Sequence, residues 1–205
     1  MPMSDKEQMQ IVKAWWKEYG YYILFSVLFV MVANFGWHRW QQHQSIRLER
    51  SSMIYMQMLN LSDQQKNDEA KLIGELLIKD YSKSPYASLA ALILAKDAVR
   101  VGDLKLADER LQFVIKMAPS KKLRQLARIR AARVLMAMKK SHEAIDLLAS
   151  VDDNSYAFLV DEVLGDALLE AGKVGDAEKS YRKAQNIGAN MMPQSPLLKM
   201  KMQQF

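Results

Sequence analysis

Side chains able to support catalysis or metal binding are scarce in this 205-residue chain. It has no cysteine, which excludes disulfides, cysteine-ligated zinc, iron–sulfur clusters and thiol catalysis. Of its three histidines, His38 and His43 flank the end of an apolar run and only His142 lies further on, so no histidine pair can form a metal site there. We therefore predict a protein that is not an enzyme, with no catalytic residues, no metal site and no cofactor.

One stretch partly matches a phosphate-binding loop, from Gly165 to Lys173. Its two outer glycines are seven residues apart, and Val174 stands where the loop needs a hydroxyl. We interpret the stretch as a turn between two helices.

The marked charge feature is a basic run from Lys121 to Lys140, which contains no acidic residue in a chain of net charge +6. It is either a solvated helix face or a docking patch for an acidic partner, nucleic acid or anionic lipid. Aromatic side chains for base stacking are absent from the run, so we predict no nucleic-acid partner. The candidate basic patch is Lys121, Lys122, Arg124, Arg128 and Arg130.

An apolar run near the start of the chain predicts a membrane anchor. Residues 19–38 form an uncharged window of 20 residues, which as a helix is about 30 Å long, the thickness of a bilayer core. Aromatic residues stand at both ends, as in a headgroup belt. A buried core helix and a cleaved signal peptide are the alternatives. We favour an uncleaved single helix in the lipid bilayer, preceded by a short segment at 1–18. The charges on its two sides are too balanced to give the orientation.

The rest of the chain has helical periodicity with short breaks, which predicts eight further helices in hairpins. A small residue recurs at Ala70, Ala107, Ala144 and Ala177, with spacings of 37, 37 and 33. The segment from Leu164 to Ala184 resembles the tetratricopeptide repeat, whose period is about 34 residues. The predicted fold class is all-α: the transmembrane helix, a tetratricopeptide-like α-solenoid of about four helix hairpins at 39–190, and a C-terminal capping segment at 191–205.

The repeat resemblance implies a concave groove that binds partners. The carried-over positions change along the chain from aromatic and apolar to basic and then acidic, a mixture suited to extended segments or a partner helix. The asparagine pair of the chaperone-tail carboxylate clamp is absent from them. They are Tyr55, Leu59, Leu92, Lys96, Arg100, Ile129, Arg133, Met136, Glu162, Asp166 and Glu170.

The whole layout resembles the YfgM-like family of ancillary subunits of the Sec translocon in the inner membrane of Gram-negative bacteria. The resemblance rests on AWWKEYG, GWHRWQQH, SPYASLAALILAK, LRQLARIRAARVLM, LGDALLEAGKVGDA and LLKMKMQQF. It implies a cytoplasmic N-terminus, a periplasmic repeat domain, and association with the SecYEG translocon and with a membrane-anchored periplasmic chaperone of the prolyl-isomerase type. The implied activity is to hand newly translocated proteins to periplasmic folding. The alternative hypothesis is a membrane-tethered regulatory protein that sequesters a signalling partner in the cytoplasm.

Overall fold

The computed structural model describes residues 5–191 and 196–203. Some side chains in these ranges are not described, namely those at 5–8, 10–12, 14, 23, 24, 27, 38, 40–44, 189–191 and 196. The chain divides into two compact units, residues 1–49 and residues 50–205.

Helix α1, Asp5–Asp63, makes up the described part of the first unit and extends into the second. In the first unit its apolar side chains are largely exposed, and they include Phe29, Val32 and Trp37. Among the described residues, no helix is both long and apolar enough to cross a membrane. Four side chains of the predicted span at 19–38 lie outside the described residues, as do those of His38 and His43. The membrane span stays a prediction.

The second unit is a series of helical hairpins. The end of α1 is followed by α2 (Asn67–Asp80), and then come α3 (Pro85–Arg100) with α4 (Leu104–Met117) and α5 (Lys121–Ala137) with α6 (Ser141–Ala149). A 3₁₀ turn, Asn154–Tyr156, leads to α7 (Ala157–Glu170) and α8 (Val174–Met191), and α9 (Pro196–Met202) follows. The predicted all-helical repeat architecture is confirmed.

Local sequence explains where these helices begin. The side chains of Ser84, Asp103 and Ser120 accept hydrogen bonds from the first-turn amides of α3, α4 and α5. Such caps satisfy amides that have no partner within the helix. Pro85 follows its cap at the first helical position, where the missing N–H costs nothing.

The connections inside the hairpins repeat a single backbone feature. Gln65, Gly102, Lys139 and Gly172 have φ values of 61°, 83°, 64° and 77°. Their spacing is 37, 37 and 33 residues, the same as that of the recurring alanines. Each of these residues ends the turn between the two helices of one hairpin, so the repeat is visible in the backbone as well as in the sequence.

Small residues let the helices of each hairpin approach closely. Ala107, Ala144 and Ala177 are fully buried. A Cβ added to Gly165 in α7 would lie 2.5 Å from Cε1 of Tyr181 in α8. The tyrosine ring therefore occupies the space that the glycine leaves. The turn predicted from Gly165 to Lys173 is wrong in its first part, because Gly165 to Glu170 belong to α7 and only residues 171–173 connect α7 to α8. Four clusters of buried residues follow one another from α1 to α9.

Candidate functional site

A cleft of about 450 Å³ opens between α3 and α5, and α4 contributes to its lining. We call it the α3–α5 cleft. Leu111 of α4 is buried, so this helix forms the base. The apolar side chains of the lining are Leu92, Ile93, Val99, Leu104, Leu111 and Val134, together with Ala95 and Ala137. A mostly apolar lining of this volume is typical of a ligand pocket.

Three cationic side chains complete the lining, Lys96 from α3 and Arg130 and Arg133 from α5. All three residues are exposed. No ion pair or side-chain hydrogen bond joins them to another described residue. By contrast, Arg110 of α4 lies 2.8 Å from a carboxylate oxygen of Glu75. The cleft thus combines an apolar interior with positive charge on both of its sides.

The structure brings together part of the predicted groove. Leu92, Lys96 and Arg133 line the cleft, joined by Arg130, which the sequence assigned to the basic patch. Arg100 is outside this lining, and its guanidinium lies 3.2 Å from a carboxylate oxygen of Asp97, one turn earlier.

The remaining predicted apolar positions lie in other surroundings. Tyr55 is half-buried on α1, where burial raises the pKa of its phenol, and its ring centroid is 5.6 Å from that of Tyr86. Leu59 is also half-buried. Ile129 is 1% exposed within the core of α5, α6 and α7, and Met136 packs against the same cluster. Ile129 is therefore closed to a ligand, and its predicted place in the groove is wrong, because the face it occupies packs on the next repeat.

The acidic end of the predicted groove is occupied by α9. The ammonium of Lys201 lies 3.0 Å from Oε1 of Glu162 and 2.8 Å from Oδ2 of Asp166. Asp166 also accepts a hydrogen bond of 2.7 Å from the hydroxyl of Tyr181, and burial with this hydrogen bond raises the pKa of the phenol. Both carboxylates thus face an internal cation.

Glu170, the last acidic position, lies apart from this cluster. It accepts a hydrogen bond of 2.9 Å from Lys139, and this contact lowers the pKa of its carboxyl.

Some residues of the predicted basic patch have partners within the chain, and the others are exposed or line the cleft. Lys121 forms an ion pair of 2.9 Å with Asp152 and lowers the pKa of that carboxyl by donating a hydrogen bond to it. Arg124 donates to the carbonyl oxygen of Ala118, where a cation also offsets the negative end of the α4 dipole. The patch is completed by Arg128, which donates to Oε1 of Gln125, by exposed Lys122, and by Arg130 at the cleft.

The part of the chain that the structure describes holds no cluster of three or more side chains of the kinds that ligate metals. His142 is exposed at the start of α6. We take the α3–α5 cleft as the candidate site.

Comparison with protein families covers almost the whole chain. A family model described as a tetratricopeptide repeat-like domain matches residues 13–205. The chain belongs to this tetratricopeptide repeat-like family. The crystal structure of MamA protein has the same fold, with a TM-score of 0.57 at 16% identity over 71% of this chain and 79% of that one.

Several relatives carry the name "Ancillary SecYEG translocon subunit". One from Aggregatibacter actinomycetemcomitans is 29% identical over 91% of this chain and 92% of its own length. One from Haemophilus influenzae is 26% identical over 97% of both chains, and one from Escherichia coli is 25% identical over 87% of this chain and 85% of its own. The resemblance to the ancillary translocon subunits is confirmed.

In this tetratricopeptide repeat-like chain, sequence reasoning missed part of the cleft and the residue that closes the acidic end. Val99 lies three residues after Lys96 on α3, so helical spacing alone would have placed the two on one face. Leu104 is the first residue of α4 and Ala137 the last residue of α5, and only the packing of the repeats brings them together. Lys201 had one signal in the sequence, a cation in an apolar tail beyond an acidic helix.

Proposed function

We propose that this chain is a non-catalytic adaptor that associates with the Sec translocon and binds protein segments on its repeat domain. The observation that carries the proposal is the name shared by relatives that align with 87–97% of the chain. The α3–α5 cleft supports it, because an open apolar cleft on a repeat domain is suited to binding another chain.

Co-purification tests the association. The chain is isolated gently from crosslinked membranes of a host that carries SecYEG, and the pulled-down material is probed for SecY. We expect SecY to be recovered. A photoreactive amino acid at Ala137 in the cleft, compared with one at exposed Lys116 on α4, reports whether the cleft faces protein partners. Absence of SecY under gentle crosslinking would contradict the proposal.

We further propose that residues 19–38 anchor the chain in the inner membrane. The window carries no charge, and exposed side chains such as Phe25, Phe29 and Phe35 would leave water on entering lipid. Extraction of membranes at alkaline pH should leave the chain in the pellet. Release into the supernatant would contradict an integral anchor.

The proposed orientation has the N-terminus in the cytoplasm and the repeat domain in the periplasm, as the resemblance implies. Because the chain has no cysteine, a single Gln203→Cys substitution creates a clean reporter, with Lys13→Cys as its reciprocal. An impermeant maleimide applied to intact spheroplasts should label Gln203→Cys alone. The reverse pattern would contradict a periplasmic repeat domain.

The finer activity we propose is the transfer of newly translocated chains to a membrane-anchored periplasmic chaperone of the prolyl-isomerase type. A translocating substrate arrested in the channel should crosslink first to this chain and, after release, to the chaperone. The relatives named above do not support the alternative of a tether for a signalling protein.

A further inference from the structure

We propose that the α3–α5 cleft binds a segment of a partner protein in which bulky apolar side chains are flanked by carboxylates. The inference rests on the proposed adaptor function and specifies the chemistry of the protein segment that the adaptor binds.

The apolar part of the ligand follows from the lining. Val99 is 46% exposed although it lies in a concave, apolar surface. A ligand that covers Val99, Ile93 and Leu104, which are all partly open to water, removes apolar area from water, which is the main favourable term in association. The volume of about 450 Å³ lies within the range of pockets that enclose small ligands and suits a short run of side chains.

The charged part of the ligand follows from the cationic side chains that line the cleft. Arg130 and Arg133 are three residues apart on α5 and are therefore neighbours on one helix face. Lys96 faces them from α3 across the cleft. None of the three is paired within the described residues, whereas most of the basic patch is held by Asp152, Gln125 and backbone carbonyls. Cations left unpaired around an apolar cleft are complementary to an anionic ligand.

The placement of these cations favours a peptide over other anions. A fatty acid or other single-headed amphiphile carries its charge at one end, but the cleft has cations on both sides of its apolar interior. A polypeptide can place carboxylates before and after its apolar side chains. The lining contains no aromatic side chain, so the stacking that supports single-stranded nucleic-acid binding is missing.

The test is fluorescence anisotropy with the whole chain in nanodiscs. The probe is a fluorescein-labelled octapeptide of alternating Glu with Leu and Phe. One matched peptide has Lys in place of every Glu, and another has Ser in place of every Leu and Phe. We expect only the first peptide to bind. Its affinity should fall as salt rises from about 0.1 M to about 1 M, because the Debye length shortens from about 10 Å to about 3 Å.

Variants assign the binding to the cleft. Combined Lys96→Ala, Arg130→Ala and Arg133→Ala should weaken the acidic peptide about tenfold, as expected for the loss of three exposed ion pairs. The matched control removes three exposed lysines outside the cleft, by Lys105→Ala, Lys116→Ala and Lys122→Ala, and should leave affinity within about twofold. Ala137→Trp, at an exposed position of the lining, should block binding by filling the cleft while thermal unfolding stays unchanged.

Three outcomes would overturn the inference: equal binding of the lysine peptide, equal loss of affinity in the control triple variant, or binding of fluorescent oleate with no binding of the acidic peptide. The last would assign the cleft to an acyl carboxylate. If no peptide binds but SecY is still recovered, only the inference about the cleft is wrong. If the acidic peptide binds but SecY is not recovered, only the proposed association with the translocon is wrong.

Discussion

Lys201 of α9 forms an ion pair with Glu162 of α7, which lies 39 residues earlier, with 3.0 Å between Nζ and Oε1. The same ammonium lies 2.8 Å from Oδ2 of Asp166, one turn further along α7. The side chain of Glu162 is 9% exposed, so its carboxylate has lost most of its contact with water, and the ion pair with Lys201 compensates for that loss. The contact ties α9 to α7, while Leu198 of α9 packs into the cluster formed with α8.

Lys201→Ala should destabilise the repeat domain by about 1–3 kcal/mol, because it leaves a largely buried carboxylate without its partner. Thermal unfolding followed by circular dichroism measures the loss. Lys199→Ala is the matched control, since Lys199 is exposed on the same short helix, and it should change the Tm little. Equal Tm values for the two variants would show that the ion pair adds nothing to the docking of α9.

Gly165→Ala should destabilise the fourth hairpin by about 1–3 kcal/mol through overpacking. The added Cβ would lie 2.5–2.9 Å from three ring atoms of Tyr181, and this ring is held by its hydrogen bond to Asp166. Gly175→Ala is the control, because a Cβ there meets no atom within 4 Å. That variant should be neutral or slightly more stable, by less than about 1 kcal/mol.

Partial rescue would identify the clash. Adding Tyr181→Leu to Gly165→Ala should recover part of the loss, because the smaller side chain makes room for the methyl group. If the two losses simply add, the contact between α7 and α8 is not what Gly165 preserves.

The hairpins were predictable because their signals are local. The recurring alanines, the glycines at 102 and 172 and the serine and aspartate caps each act within one or two turns of helix. The resemblance of Leu164–Ala184 to one repeat then gave the phase for the others. Gln65 and Lys139 adopt the same left-handed turn without glycine, so the residue type gave no signal at these two positions.

The candidate site was less predictable because it depends on contacts between distant residues. Concave positions carried over from the repeat family led to Leu92, Lys96 and Arg133, but Ile129 on the same pattern is buried against the next repeat. Periodicity gives the face of a helix and does not give how much of that face a neighbouring helix covers. Lys201 decides whether Glu162 and Asp166 are available to a ligand. This contact joins residues more than 30 positions apart, so no local sequence pattern predicts it.

Gln65→Gly should stabilise the first hairpin. A non-glycine residue in the left-handed region costs about 1–2 kcal/mol, and glycine removes this strain at an entropic cost of roughly 0.5–1 kcal/mol, so the net gain is at most about 1.5 kcal/mol. Gln64→Gly is the control one residue earlier, where φ is not positive, and it should lower stability. Chemical denaturation at equilibrium measures both. A gain from Gln64→Gly as large as that from Gln65→Gly would contradict the strain at position 65.

Two aspartates should respond to pH in opposite directions. Burial raises the pKa of Asp161 in α7, although Lys183 partly opposes it. The native state therefore favours the protonated acid, and the contribution of Asp161 to stability is present below its unfolded pKa of about 3.9 and is lost as pH rises through the native value. Asp161→Asn should consequently raise the Tm at pH 7 and have little effect near pH 3.

The pKa of Asp152 is shifted in the opposite direction from that of Asp161. The hydrogen bond from Lys121 lowers its pKa, so its contribution is present above the unfolded pKa and is lost as pH falls through the native value. Asp152→Asn should lower the Tm at pH 7, and the difference from the unmodified chain should vanish in acid. Thermal unfolding of both variants across pH 3–7 measures the two slopes. If both substitutions shift the Tm in the same direction at pH 7, burial does not govern the pKa of Asp161.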